Sequence, residues 1–179
     1  MKRKVDLKAK PFYLTDEQIA WVESTISGMT LEDKLGQLFL PLVYESAEEA
    51  NARFDRIGLH PGGVLLRSDT SAKTRERIAG FQKHARIPML IAGDLDRGSY
   101  NMISDGTQYG HEMLLAASGD PQMAYRGAKI LGKECCAVGA NWNFGPVTDI
   151  DFNPFNPVTN VRTFGSRSEE HTSELQSRI

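Results

Sequence analysis

Carboxylates and an arginine follow the apolar runs of this 179-residue chain, at the points where strands are predicted to end. Asp94, Asp96 and Arg97 come directly after the run MLIAG, and Asp149 closes the segment NWNFGPVTD. In parallel α/β folds the ligand-contacting residues lie at the carboxyl ends of the strands. An aspartate in such a place also caps helices or forms turns. We expect a ligand contact for Asp94, whereas both roles stay open for Asp96.

A long irregular segment, DFNPFNPVTNVRTFG, follows the last of these strands and contains Arg162. Its many turn-forming residues and two prolines predict a loop, and long loops at the ligand-binding end carry function more often than packing. A guanidinium group offers a rigid fork of N–H donors that suits sugar hydroxyls or carboxylates. Arg162 is therefore either a ligand-binding residue or a brace within its own loop.

The sequence does not match the common motifs of zinc-binding helices or of nucleotide-binding loops. A zinc-binding helix that began at His111 and Glu112 would need a second histidine at the position of Leu115, so we expect His111 to be solvated or helix-capping. The adjacent Cys135 and Cys136 are expected to be free thiols, because a disulfide between neighbours is strained. The glycines of PGG and GTQYG fit neither a phosphate-binding loop nor a dinucleotide fingerprint. The sequence predicts no metal and no organic cofactor.

An alternation of helices and strands must position these residues. Thr15 and Thr30 are predicted N-caps of two amphipathic helices. VLLR and MLIAG are predicted to be buried strands on either side of a helix in SAKTRERIAGFQKHA. A helix from about 120 to 137, with Asp120 as N-cap and Gly139 as C-cap, leads to the strand NWNFGPVTDI. Such alternation predicts a parallel sheet, either an open doubly wound sheet or a (β/α)8 barrel.

Composition indicates a globular protein with one sizeable core, since 40% of the residues are hydrophobic and 25% are charged. The formal net charge of -2, with both signs dispersed, provides no basic surface for nucleic acid. The basic start MKRKVDLKAK lacks the apolar run of a secretion signal, and no segment is long enough to cross a bilayer. We expect a cytoplasmic protein that binds neither nucleic acid nor membrane.

Six motifs occur in the order found in glycoside hydrolase family 3: MTLEDKLGQLF, GGVLL, IPMLIAGDLDRG, AASGDPQMAY, GANWNFGPVTDI and NPFNPVTNVRTFG. From about residue 14 to 165 the chain resembles the first part of that family's N-terminal barrel. NPFNPV and RTFG are more similar to the β-N-acetylhexosaminidase branch than to the β-glucosidase branch. The resemblance implies an α/β fold that forms the N-terminal part of a (β/α)8 TIM barrel, incomplete in this chain.

The same resemblance assigns roles to individual residues. Asp94 falls on the family's sugar-binding aspartate and Arg162 on its sugar-binding arginine. The chain departs from the family where Asp96 replaces a glutamate and Arg97 replaces a glycine. Many relatives carry a second sugar-binding arginine where this chain has Met102. Three further residues remain candidates for the rest of the pocket: Asp96, Arg97 and Asp149.

The implied reaction is hydrolysis of a terminal β-linked sugar with retention, through a covalent glycosyl–enzyme formed on an aspartate. The expected ligand is a small glycoside or an oligosaccharide. In the family the nucleophile and the acid/base lie beyond RTFG, so we expect no catalytic residue up to residue 166 and no activity from this chain alone. Three alternatives remain: β-glucosidase activity, a non-catalytic sugar-binding fragment, and an unrelated barrel or doubly wound enzyme.

The last residues differ from the rest in composition. Residues 167–177, RSEEHTSELQS, match one reading frame of a common short-read sequencing adapter. We therefore interpret residues 1–166 as the N-terminal portion of the barrel domain and residues 167–179 as a non-native, adapter-encoded tail. The alternative is a genuine polar C-terminal tail.

Overall fold

A computed structural model describes residues 5–166, so the predicted adapter-encoded tail, 167–179, lies outside the described residues. The helices are α1 (Asp16–Gly28), α2 (Leu31–Gly36), α3 (Ala47–Arg56), α4 (Ser71–His84), α5 (Glu112–Ala117) and α6 (Pro121–Val138). The strands are β1 (Leu42–Val43), β2 (Gly63–Leu66), β3 (Leu90–Gly93) and β4 (Trp142–Asn143). Short 3-10 helices span Ser99–Asn101 and Asn160–Arg162. In this part of the chain no helix has the length and apolar character needed to span a membrane.

The four strands form one parallel sheet whose spatial order, β1-β2-β3-β4, is the order of the chain. Leu65 of β2 pairs with Leu42 on one side and Ala92 on the other, and Ala92 pairs with Trp142. Parallel strands that follow one another without a reversal of order are typical of a barrel wall, whereas a doubly wound sheet reverses at a switch point. The α/β prediction is confirmed, and the topology favours the barrel.

Local capping signals define the helix ends. Thr15 and Thr30 each form a capping box, with Gln18 and Asp33 respectively, in which the threonine side chain accepts the N–H of the third helical residue and that residue's side chain accepts the threonine N–H. Asp120 accepts the backbone N–H of Gln122 and precedes Pro121, while Gly139 ends α6 in the left-handed conformation at φ 100°. These predicted boundaries are confirmed.

Successive residues of a strand point to opposite faces of a sheet, and the hydrophobic core lies on one of these faces. Val43, Val64 and Ile91 face the helices and are fully buried. They pack against a second set of buried side chains, contributed by α3, α4 and α6: Phe54, Ile78, Phe81, Leu131 and Val138. Burying each large apolar side chain contributes roughly 1.5–3 kcal/mol, so this face holds the helices on the sheet.

The opposite face of the sheet is partly exposed to solvent, although Ala92 on it is buried. Leu42, Leu90 and Trp142 are 37%, 46% and 43% exposed. The apolar residues at helical spacing in α2 and just beyond it are exposed as well: Leu31, Leu35, Leu38 and Phe39. Near these exposed side chains, the backbone of α2 packs closely against the backbone at His60. A Cβ on Gly36 would lie 2.7 Å from the His60 carbonyl oxygen.

The strand predicted in NWNFGPVTDI is shorter than expected, and this corrects the placement of Asp149. β4 ends at Asn143, because Gly145 donates its N–H to the Asn143 side chain and Pro146 has no N–H to continue a ladder. Asp149 therefore lies six positions beyond the strand, exposed, with Oδ1 accepting the N–H of Ile150. It is a turn-forming aspartate and not a strand-end residue.

Candidate functional site

Two charged residues meet at the carboxyl edge of the sheet. Arg67 is the first residue after β2 and Asp94 is the first after β3, and Nη1 of Arg67 lies 3.3 Å from Oδ2 of Asp94. Both side chains are half-exposed, so a ligand above this edge would meet an aspartate already oriented by a guanidinium group. Sequence reasoning missed Arg67, although its place directly after the run VLL was the available signal.

The segment after β3 folds back on itself. Asn101, in the first 3-10 helix, donates Nδ2–H bonds of 2.8 Å to the carbonyl oxygen of Asp94 and to Oδ1 of Asp96. Gly98 allows the reversal, because its φ is 107° and a Cβ there would lie 2.4 Å from the Thr107 carbonyl oxygen. As a result the Asp96 side chain points inward and is only 6% exposed.

Glu134 of α6 fastens this segment to the helix layer. Its carboxylate accepts the hydroxyl of Ser99, the backbone N–H of Thr107 at 2.9 Å and the hydroxyl of Thr107 at 2.6 Å. Burial opposes ionisation of Glu134, but the hydrogen bonds from Ser99 and Thr107 outweigh it and lower the pKa of the carboxyl group. The loop that carries Asp94 and Asp96 is thus held against α6 by hydrogen bonds to the Glu134 carboxylate.

Arg162 reaches the same place from the loop after β4. A series of side-chain-to-backbone bonds shapes that loop, in which Asp151, Asn153 and Asn156 each accept the N–H two residues ahead. Arg162 donates its Nε–H to Oδ2 of Asp96 at 2.7 Å. This hydrogen bond and the charge of Asp96 raise the pKa of Arg162, and the nearby charge of Asp94 adds to the effect.

Glu112 and His111 complete the cluster from the start of α5, and sequence reasoning missed both. Glu112 is 2% exposed and its Oε2 has no hydrogen-bond partner among the described residues. Burial, reinforced by the charge of Asp96, raises the pKa of Glu112 to about 8. His111 occupies the N-cap position of α5, as expected, but its side chain makes no capping hydrogen bond. It is half-buried, and its Nδ1 is also without a partner in the described part.

Asp96, His111 and Glu112 are the residues here that could hold a metal, because one ligand atom from each lies within 4.8 Å of the others. The guanidinium group of Arg162, however, is already bound to Asp96. A cation among these ligands would face that fixed positive charge at close range. The arrangement suits a network of hydrogen bonds and protons better than a metal.

Of the residues predicted for the site, the structure brings together Asp94, Asp96 and Arg162. Arg97 is half-buried beside them, where its carbonyl oxygen accepts the N–H of Tyr109, but its side chain makes no ion pair with any residue in 5–166. Asp149 forms its own turn outside the cluster. Met102 is fully buried in the core, so the positive charge beside Asp94 comes from Arg67 instead.

Known proteins resemble this chain in sequence and structure. It is 43% identical over 162 residues to the beta-N-acetylglucosaminidase/beta-glucosidase of Cellulomonas fimi. The aligned region covers 90% of this chain and 28% of that protein. A solved beta-glucoside phosphorylase, BglX bound to 2FGlc, matches with a TM-score of 0.86 and 36% identity over 96% of this chain and 31% of its own. A family 3 beta-N-acetylglucosaminidase from Paenibacillus sp. str. FPU-7 matches with a TM-score of 0.74 and 31% identity over 84% of this chain and 30% of its own.

The chain therefore spans less than a third of the length of these relatives. The structural matches include family 3 enzymes, whose N-terminal domains are TIM barrels, so the barrel topology is confirmed and the doubly wound alternative is excluded. The sequence profile of the glycosyl hydrolase family 3 N terminal domain matches residues 30–178. The chain belongs to glycosyl hydrolase family 3, as part of its N-terminal domain.

Proposed function

We propose that this chain forms one wall of the sugar site of a retaining enzyme that acts on terminal β-linked N-acetylhexosaminides. The observation that carries the proposal is the cluster of Asp94, Asp96 and Arg162 at the carboxyl edge of the sheet, where barrel enzymes bind their ligands. The NPFNPV and RTFG segments, and the name of the Paenibacillus relative, support the choice of sugar, whereas the name of the Cellulomonas fimi relative includes both the N-acetylglucosaminide and the glucoside.

Each residue has a distinct role in this proposal. The half-exposed carboxylate of Asp94 accepts hydrogen bonds from sugar hydroxyls, and the contact with Arg67 orients it. Arg162 uses Nε–H to bind Asp96, which leaves its remaining N–H groups free to reach the sugar. The nucleophile and the acid/base are supplied from outside residues 5–166. No cofactor, nucleic acid or membrane takes part, and we infer a cytoplasmic location.

The test is a substrate comparison on the full-length gene product that carries this chain. We expect a higher kcat/KM for p-nitrophenyl N-acetyl-β-glucosaminide than for p-nitrophenyl β-glucoside. Asp94→Ala should reduce kcat/KM for the preferred substrate by about 30- to 1000-fold, if it removes charge-assisted hydrogen bonds to the sugar. A preference for the glucoside would reassign the sugar, and an unchanged Asp94→Ala variant would remove Asp94 from the site.

Phosphorolysis is a second candidate, because the matched BglX structure is that of a beta-glucoside phosphorylase. In that reaction the glycosyl group passes from the enzyme to inorganic phosphate instead of water. The same enzyme should be assayed with and without added inorganic phosphate, while sugar 1-phosphate and free sugar are both quantified. Sugar 1-phosphate as the main product supports phosphorolysis, and free sugar at an unchanged rate supports hydrolysis.

A further inference from the structure

Glu112 is the most deeply buried ionisable group in the cluster with Asp96 and His111. It begins α5, it is 2% exposed, and its Oε2 has no hydrogen-bond partner within residues 5–166. It borders a cavity of about 60 Å³ that is lined mainly by apolar side chains, among them Leu95, Leu131 and Phe164. An ionised carboxylate in such surroundings is poorly solvated, so the neutral acid is the favoured form.

Three elements converge on this residue. α5 packs against the 3-10 helix that contains Arg162, and the loop after β3 brings Asp96 to within 4.8 Å of the Glu112 carboxyl group. Asp96 in turn accepts the Nε–H of Arg162. Glu112 is therefore placed to influence the ion pair between Asp96 and Arg162 without itself facing the open edge of the sheet.

We propose that Glu112 is a positioning residue for Arg162. As a neutral acid it leaves Asp96 as the anion that fixes the guanidinium group, and as an anion it would compete with Asp96 for the same positive charge. The orientation of Arg162 toward the ligand then depends on the charge of a residue that touches no ligand. The positioning role rests on the burial of Glu112, its distance from Asp96 and the bond of Asp96 to Arg162. Its consequence for turnover rests on the proposed function.

Charged and titratable side chains surround Glu112 from several elements of the fold. Asp96 faces it from the loop after β3, Arg162 from the 3-10 helix, His111 from the residue before α5, and Tyr125 of α6 lines the same cavity. Burial and the charge of Asp96 raise the pKa of Glu112 to about 8, whereas hydrogen bonds from the backbone of Glu112 and Val147, and the charge of Arg162, act in the opposite direction. Glu112 is neutral below that pH and gains its negative charge above it.

The test follows the Nε–H resonance of Arg162 by ¹⁵N NMR of the full-length protein between pH 6 and pH 10, assigned by its loss in Arg162→Lys. In the wild type this resonance should shift with a midpoint near pH 8, and in Glu112→Gln it should not shift. Gln is the matched variant, since it keeps the size and neutrality of the protonated acid. A wild-type resonance that does not move overturns the proposal, even if Glu112→Gln fails to fold.

Kinetics supply the second readout. At pH 6, kcat/KM of Glu112→Gln on p-nitrophenyl N-acetyl-β-glucosaminide should be within twofold of the wild type, and the variant-to-wild-type ratio should rise about tenfold by pH 9.5. A ratio that is constant across pH overturns the role of Glu112 in turnover. If the wild type cleaves no glycoside but the Arg162 resonance still titrates with Glu112, the proposed function fails and the positioning role stands.

Discussion

Arg162 and Asp96, 66 positions apart in the chain, are joined by an Nε–H···Oδ2 bond of 2.7 Å. Asp96 is nearly buried, and its other oxygen accepts a hydrogen bond from Asn101. Both oxygens of the carboxylate are thus occupied by donors from two different loops. This single residue links the loop after β3 to the loop after β4, so we expect a substitution there to disturb both loops.

Asp96→Asn should release Arg162, because the amide keeps the size of the side chain but loses the charge that orients the guanidinium group. We expect kcat/KM of the full-length enzyme to fall about 10- to 150-fold, the effect of one lost hydrogen bond to a charged group. Asp55→Asn, an exposed substitution on α3, is the control and should stay within twofold. A fall of less than twofold in Asp96→Asn would mean that Arg162 needs no partner.

Arg67 and Asp94 should be coupled only weakly in stability. Both side chains are half-exposed, and such ion pairs contribute about 0.2–1 kcal/mol. A double-mutant cycle with Arg67→Met and Asp94→Asn in urea unfolding measures that coupling. The same variants should nevertheless lose at least about tenfold in kcat/KM. Strong coupling in stability together with normal activity would make the pair a structural feature only.

Glu112→Gln should stabilise the protein at neutral and alkaline pH. The pKa of Glu112 is raised to about 8 in the folded state, so between about pH 4.5 and pH 8 the folded protein holds a proton that the unfolded chain has lost. The free energy of unfolding of the wild type therefore falls as pH rises through this range, and the variant lacks this fall. Urea unfolding at pH 5 and pH 8 should show the variant gaining roughly 2–4 kcal/mol between the two values. Parallel curves would show that Glu112 ionises as freely in the folded state as in the unfolded chain.

Glu134→Gln should have the opposite dependence on pH. The hydrogen bonds from Ser99 and Thr107 lower the pKa of Glu134, so its stabilising effect is present above the unfolded pKa and is lost as pH falls through the folded pKa. At pH 7 we expect a loss of about 1–3 kcal/mol in the free energy of unfolding. At about pH 3 the difference from the wild type should shrink. A difference that stays the same at both pH values would assign the effect to shape and not to charge.

Two glycines form a matched pair for a backbone test. Gly98→Ala should destabilise the protein by more than about 2 kcal/mol, because φ is 107° and the added Cβ would lie 2.4 Å from the Thr107 carbonyl oxygen. Gly132→Ala, inside α6 with nothing within 4 Å of its Cβ, should stabilise it by roughly 0.5–1 kcal/mol. Thermal unfolding of both variants checks the signs, and a stabilised Gly98→Ala would disprove the tight reversal of the loop.

Local sequence signals predicted the frame of the fold. Thr30 with Asp33, and Asp120 with Gly139, set helix ends through interactions that span a few residues. Asp94 was found because a carboxylate directly after a buried apolar run marks a strand end. In each case the deciding contact lies within a few positions in the chain, so periodicity and capping rules suffice.

The sequence alone did not predict the contacts between residues that are distant in the chain. Nothing near Glu112 in the sequence distinguishes it from a solvated residue at a helix start, and the side chains around it, among them Leu95, Leu131 and Phe164, come from other segments. The leucines of α2 have the spacing of an amphipathic helix, yet they are exposed. Asp149 was misplaced because Gly145 and Pro146 end β4 early. The expected N-caps and strand ends are local properties, whereas the cluster is a property of the topology.

The double engagement of Asp96 limits how the site can be redesigned. If the loop after β4 were transplanted alone into another barrel, Arg162 would lose Asp96, the residue that binds its guanidinium group. The segment from 94 to 101 supplies that aspartate, together with the asparagine that orients it. The two loops form one exchangeable unit, and protein engineers who recombine family members should set their crossover points so that both loops come from the same parent.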